Sequence, residues 1–389
     1  MTKKWSSRLT FFAFVVLMVG LGSNDSLRGI FSTIFQEHFS LTTTQLGLIV
    51  TASYIGNLVF LLVGGNLSTR FSKKRVLQAL ILIWMAALAL FAFTSNYTVL
   101  LIGMALALGS STLLNTTMNL ITPLLFATAP GFFVNFLFFT QEIGTSGSQY
   151  ILGSHADGFA FWQHTNLVLL ILGAVAFVLL LFCNVPEEAA APADAPAQKG
   201  GYDWRIIVPY VLVFGFYFIA EHGVMNWMVA YGVDGLGLPQ ASAAKYLSVF
   251  FGGMMIGRLC LSPLVDKLGA LKSLAAFGGV SCVLYLIGSL GGAVTMPVWA
   301  ISGLSFSILY PTLVMSIRLY FPAQQVSGAA GTILSIASLA DILFNVGFGK
   351  LVDMTGYAVS IRVLPLSALA FFIVFMLFTK FCKPTQKLK

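Results

Sequence analysis

The chain is a succession of apolar runs separated by short polar breaks. Their approximate bounds are 9–31, 42–64, 75–94, 97–118, 131–152, 163–183, 204–230, 240–262, 271–291, 295–318, 327–350 and 356–380. The runs are continuous rather than alternating with a period of two, which selects helices over barrel strands. Each reaches the ~20 residues that carry an α-helix across a hydrocarbon core. The pattern therefore predicts an all-α membrane protein of twelve transmembrane helices. Gly and Pro interrupt many runs, which membrane helices tolerate where neighbours pack closely. No small-residue cleavage site follows the first run, so it reads as a retained span rather than a signal peptide.

One segment departs from the pattern. Residues 184–203 are polar, rich in Pro and Ala, and carry Glu187, Glu188 and Asp194. By composition this is a linker. It divides the chain into an N-terminal six-helix half (1–183) and a C-terminal one (204–389). The halves echo each other. Behind the second span stands Gly64-Gly65-Asn66-Leu67-Ser68-Thr69-Arg70-Phe71-Ser72-Lys73-Lys74-Arg75; behind the eighth stands Ser262-Pro263-Leu264-Val265-Asp266-Lys267-Leu268-Gly269-Ala270-Leu271-Lys272. Thr69 and Asp266 hold equivalent places, 197 positions apart in a chain of 389. Two pseudo-symmetric six-helix halves are the architecture of a rocker-type secondary transporter, with its substrate site expected between them, near the midplane and bordered by spans 1, 4, 5, 7 and 11.

Composition narrows the class further. Apolar residues make up 58% and charged residues 9%, with a mean hydropathy of +0.91. Soluble domains carry about 25% charged residues, so soluble enzymes and nucleic-acid binders are excluded. The net charge of +8 is explained by topology instead. With the N-terminus inside, only Arg28, Lys245, Lys350 and Arg362 of the 21 Lys and Arg fall outward. The positive-inside rule then puts both termini and the linker in the cytoplasm. The four cysteines (Cys183, Cys260, Cys282, Cys382) show no CxxC spacing, and neither a disulfide framework nor a metal site is expected. His155, Asp157 and His164 read as ordinary loop polarity. There is no HExxH, Gly-x-Ser-x-Gly or Walker A sequence, so no enzymatic activity and no cofactor are expected, and any active transport must draw on an ion gradient.

The two loops resemble the signature of the major facilitator superfamily, a Gly-x-x-x-Asp-Arg-x-Gly-Arg-Arg-like run between spans 2 and 3. The C-terminal copy keeps Asp266, Lys267 and Gly269. The N-terminal copy keeps Gly65, Arg70 and the basic run, with Thr69 in place of the acid and Ser72 in place of the glycine. The resemblance implies the twelve-helix fold of that superfamily and a cytoplasmic gating role for Arg70, Arg258, Asp266 and Lys267. Missing its acid, the N-terminal clamp is expected to be weaker. Three further stretches are similar to the fucose/glucose permease branch, which performs proton-coupled sugar symport: Leu114-Asn115-Thr116-Thr117-Met118-Asn119 in span 4, Phe216 to Trp227 in span 7, and Gly252-Gly253-Met254-Met255-Ile256-Gly257-Arg258 in span 8. Asp25 matches that branch's membrane aspartate. Asn115 stands where the branch has a coupling glutamate.

Ionisable groups within the bilayer are costly and point to function. Four acids lie away from span ends: Asp25, Glu142, Glu221 and Asp341. They occupy spans 1, 5, 7 and 11, whereas spans 3, 6, 9 and 12, the outer helices of the resembled fold, have none. All four are candidate proton carriers. Arg28 shares a face with Asp25, either as its structural partner or as a ligand for a substrate anion. Glu142 has no basic residue within a helical turn. Beside Glu221, His222 reads as an interhelical hydrogen-bonding group. Asp341 shares a polar stripe with Ser338 and Asn345. Candidate substrate contacts are Arg28, Asn115, Asn119, Gln141, Asn226, Trp227 and Asn345, since a hexose needs amide partners and an aromatic face; the asparagines also serve simply as interhelical links.

These features predict a proton-coupled symporter for a sugar or similar small polar solute, working by alternating access as a monomer in the plasma (bacterial inner) membrane, with Na⁺ as an open alternative coupling ion. The expected partners are that small molecule, protons and the lipid bilayer, with no nucleic acid. Two alternatives stay open: proton-coupled efflux of amphipathic drugs, and uptake of an organic or amino acid.

Overall fold

The computed structural model describes residues 3–126, 130–183, 185–186 and 203–384; the side chains of Arg70, Asn135 and Asp266 lie outside that description, as does most of the 184–203 segment. Two compact units emerge, Met1–Ala195 and Pro196–Lys389. The first holds α1 (Lys3–Ile30), α2 (Thr43–Arg70), α3 (Lys73–Phe93), α4 (Tyr97–Leu125), α5 (Pro130–Ile151) and α6 (Phe159–Leu181). The second holds α7 (Trp204–Ala230), α8 (Gln240–Leu268), α9 (Ala270–Leu290), α10 (Met296–Leu319), α11 (Ala323–Thr355) and α12 (Val363–Phe381). Among the described residues eleven helices are long and apolar enough to cross a membrane, and α5, with 22 residues, is the twelfth long helix. A short helix, Ser32–His38, follows α1.

Several helices outrun their apolar windows. The window measures the hydrocarbon thickness, but the backbone bonding that makes the helix continues as long as nothing interrupts it. The consequence is clearest at the two signature loops. Where the sequence suggests loops over 64–75 and 262–272, α2 continues to Arg70 and α8 to Leu268. The first join is only Phe71 and Ser72, with the Ser72 hydroxyl accepting from the Arg75 amide at the start of α3. The second join is Gly269 alone, at φ 80°, a conformation that glycine adopts without steric cost.

The tenth run, continuous in sequence, is broken into Met296–Ile301, Gly303–Phe306 and Leu309–Ser316, with a final 3₁₀ turn over Ile317–Leu319. Serines cluster at the break, together with Gly303 and Pro311. Ser302, Ser305 and Ser307 donate to the carbonyls of Trp299, Ser302 and Leu304, each three residues back. Such bonds bend helices by competing for backbone acceptors.

Glycines set the close contacts that position the site. A Cβ on Gly22 of α1 would lie 2.0 Å from the Gln141 carbonyl oxygen of α5, and one on Gly144 would lie 2.1 Å from that of Val19. The contact is reinforced by Thr145 Oγ1 donating to the Gly22 oxygen at 3.2 Å and Ser23 Oγ donating to the Gly144 oxygen at 3.3 Å. Successive spans joined by short connections alternate in direction, so α1 and α5, the first and fifth, run parallel. Gly22→Val or Gly144→Val should cost about 3 kcal/mol or more, because backbone has to move. The check is the melting midpoint of each variant in detergent; wild-type values would overturn this packing.

Candidate functional site

In the N-terminal unit one polar strip links α1, α4 and α5. Ser111, Asn115 and Asn119 are four residues apart on α4 and therefore share a face. Ser111 Oγ donates to both oxygens of Asp25 on α1, at 3.3 and 3.4 Å. Asn24 Nδ2 donates to the Asp25 Oδ1 at 3.4 Å. Asn115 Nδ2 donates to Gln141 Oε1 on α5 at 2.6 Å, and Asn119 Nδ2 donates to Asn115 Oδ1 at 2.6 Å. The ladder ends in an unsatisfied acceptor, since the Asn119 Oδ1 is buried without a partner among the described residues. Asp25, Asn115, Asn119 and Gln141 are all part-buried. A carboxylate and three amides thus form one hydrogen-bonding surface within an apolar bundle.

Arg28 is buried at 5% exposure, with its guanidinium over the Tyr54 ring of α2 at 5.7 Å from the centroid. Its charge is felt at Asp25, but no Arg28–Asp25 contact within 4.0 Å exists among the described residues. The two share a face without forming a direct ion pair. Glu142 is part-buried beside Gln141 on α5.

The C-terminal unit has its own polar bridge. His222 of α7 meets the Asp341 carboxylate of α11 through Nδ1 and Oδ2. Asp341 is 2% exposed, and its Oδ1 has no hydrogen-bonding partner among the described residues. The Phe218 ring stacks on His222 at 5.3 Å. Further along the same two helices, Trp227 Nε1 donates to Asn345 Oδ1 at 2.9 Å, while Asn345 Nδ2 donates to the Asp341 carbonyl at 2.8 Å. Trp227 and Asn345 are fully buried, so both spend their polar atoms inside the α7–α11 interface. Asn226 is buried on the same helix.

Glu221 lies apart from that bridge. Its charge reaches Tyr217, Tyr285 of α9 and Tyr310 of α10, and the Arg258 charge reaches Tyr217 and Tyr310. Arg258 therefore stands among membrane tyrosines within α8, whereas Lys267 is exposed in the last turn of that helix. Of the gating residues expected from the sequence, Arg258 lies within α8 and Lys267 near its C-terminal end, while the side chains of Arg70 and Asp266 lie outside the described residues.

Sequence reasoning passed over Ser111, the Asp25 partner, and the three tyrosines around Glu221. A serine one turn before Asn115 on the same helix face was the available signal for Ser111. Tyr217, one turn before Glu221 on α7, carried the same signal; Tyr285 and Tyr310 come from other helices and carry none.

Residues 10–340 match the family described as Major Facilitator Superfamily. The chain belongs to the major facilitator superfamily. It is therefore a membrane transporter, not an enzyme. Its curated relatives include the L-fucose-proton symporter of Escherichia coli K12, 24% identical over 333 residues (74% of this chain, 75% of the relative). Another is a glucose/galactose transporter of Brucella abortus, 27% identical over 344 residues (82% and 81%). Among solved structures, a D-xylose-proton symporter superposes with a TM-score of 0.78 at 15% identity, covering 99% of both chains. At that identity the likeness concerns the superfamily fold.

Proposed function

We propose that this superfamily member imports a sugar or similar small polar solute together with a proton, by alternating access, across a bacterial plasma membrane with both termini cytoplasmic. The observation that carries the reading is the strip in which the Asp25 carboxylate, Ser111 and the amides of Asn115, Asn119 and Gln141 share one surface. A polyhydroxylated solute needs closely spaced donors and acceptors in a part-buried place, and Asn119 retains an unspent acceptor there. A carboxylate on the same surface lets solute loading and proton loading sense each other. The names of the fucose and glucose/galactose relatives support this solute class. Arg28 and Gln141 join the solute-contacting set. Glu142, Glu221 and Asp341 remain proton-coupling candidates beside Asp25, and Asn226, Trp227 and Asn345 remain candidates for solute contact once the α7–α11 interface opens.

The test is external pH in a lightly buffered, de-energised suspension of cells overexpressing the protein, while small polar solutes are added singly. Alkalinisation by one solute, but not by its epimers, is the expected result. Silence across sugars and sugar acids, with the protein present in the membrane, would overturn the reading in favour of efflux.

A further inference from the structure

Arg28 is a buried cation whose hydrogen-bonding capacity is unspent. Its Nε has no partner, and no carboxylate oxygen lies within 4.0 Å among the described residues. The Asp25 oxygens are instead engaged by Ser111 and Asn24. The Tyr54 ring face offers about 2 kcal/mol to a desolvated cation but satisfies none of its N–H groups. A guanidinium presents five donors in a fixed fork that matches a carboxylate in two-point contact. Left without an anion, such a group is a standing cost to the fold.

A second unsatisfied group lies at a similar depth. Thr145 of α5 bonds to Gly22 of α1, and these helices run parallel. One turn further on each come Gln149 and Ser26; Arg28, two residues beyond Ser26, stands about 3 Å higher and on the other side of α1, toward Tyr54. Gln149 is fully buried, and neither its amide nitrogen nor its amide oxygen has a partner among the described residues.

The amide ladder lies on the opposite side of Asp25. Since α5 is antiparallel to α4 and parallel to α1, α4 descends as α1 rises. At 1.5 Å per residue, Arg28 is about 4.5 Å above Asp25 and Asn115 about 6 Å below Ser111. The axial separation of about 10 Å, shortened by side chains reaching inward, suits a six-carbon solute with a charged end and a hydroxylated end.

We propose that Arg28 anchors a carboxylate of the solute, so that the cargo is a polyhydroxy monocarboxylate (a sugar acid) rather than a neutral sugar. The assignment rests on the import reading above and narrows its solute class. It also separates the roles of Asp25 and Arg28: the Asp25 carboxylate, held by Ser111 and Asn24, is an anion near the cation and not its partner.

The test is binding to the purified full-length protein, read by calorimetry or tryptophan fluorescence, with D-glucuronate, D-gluconate, D-glucose and acetate as probes. The expected result is that a sugar acid binds about tenfold or more tightly than glucose or acetate, as a charge-assisted two-point contact requires. Arg28→Ala should remove that preference, Arg28→Lys should keep part of it, and Asp25→Asn should tighten sugar-acid binding modestly, within about threefold, by removing a neighbouring anion. Should Arg28→Ala fail to fold, Arg28→Lys and the comparison of acid with neutral probe on the wild type decide. Glucose binding as well as or better than its acids overturns the anchor while leaving sugar symport intact. Acetate matching glucuronate reduces Arg28 to a general anion site and overturns the sugar-acid assignment. No binding by any sugar or sugar acid, with solute-linked pH changes also absent, overturns the anchor together with the import reading.

Discussion

Asp25→Asn should abolish uphill accumulation of the solute while leaving exchange of labelled for unlabelled solute across the membrane. Asparagine fills the same volume and still accepts from Ser111, so the strip on α1, α4 and α5 keeps its geometry. What it loses is the group that can change charge. Coupling demands that proton occupancy alter the energy of the loaded state, and a neutral amide makes that energy the same on both sides. The accumulation ratio should fall to about unity, since a carrier with no differential proton affinity shifts no equilibrium. Exchange needs only solute binding and reorientation, and should stay within about threefold of wild type, the span of ~0.6 kcal/mol at ~1.4 kcal/mol per decade. The measurement is paired uptake and counterflow in proteoliposomes with an imposed pH gradient. Full accumulation by Asp25→Asn would remove Asp25 from coupling and direct attention to Glu142, Glu221 or Asp341.

The second large effect concerns stability. His222→Leu strips Asp341 of its side-chain hydrogen-bonding partner while leaving the carboxylate 2% exposed. Leaving a buried polar group without its hydrogen-bonding partner costs about 1–3 kcal/mol, and more where the group is charged. Asp341→Asn keeps an acceptor for the imidazole and should cost less. The double variant His222→Leu/Asp341→Leu should recover much of the loss, as no polar group is then left stranded. Melting midpoints of the two single variants and the double variant form the cycle. Strict additivity would show that the bridge between α7 and α11 does not contribute as a pair.

Much of the architecture was legible because lipid imposes one local rule. Every backbone group must be satisfied within its own segment, so a long apolar run has helix as its only open structure. The shared face of Asn115 and Asn119 was legible for the same reason, being a matter of spacing on one helix. Partners across helices were not. Gln141 is 26 positions from Asn115, and Asp341 is 119 from His222; a chain read residue by residue holds no record of which faces meet. Arg28 shows the intermediate case. Its place beside Asp25 followed from helical spacing, but whether the two groups touch depends on Ser111 of α4 and Tyr54 of α2. The serine break in α10 was overlooked because hydropathy treats a serine as mildly polar and ignores where its hydroxyl bonds.

The join between α8 and α9 has a mechanical consequence. The Gly269 amide closes α8 on the Val265 carbonyl at 2.8 Å, and its own oxygen receives the Ser273 amide of α9 at 3.0 Å. One residue thus belongs to both helices' bonding ladders and leaves no slack between them. A longer connection would act as a hinge, absorbing rotation of one helix before the other felt it. Here the last turn of α8, beyond Pro263, and the first turn of α9 form one corner, so the end of one helix carries the start of the other with it.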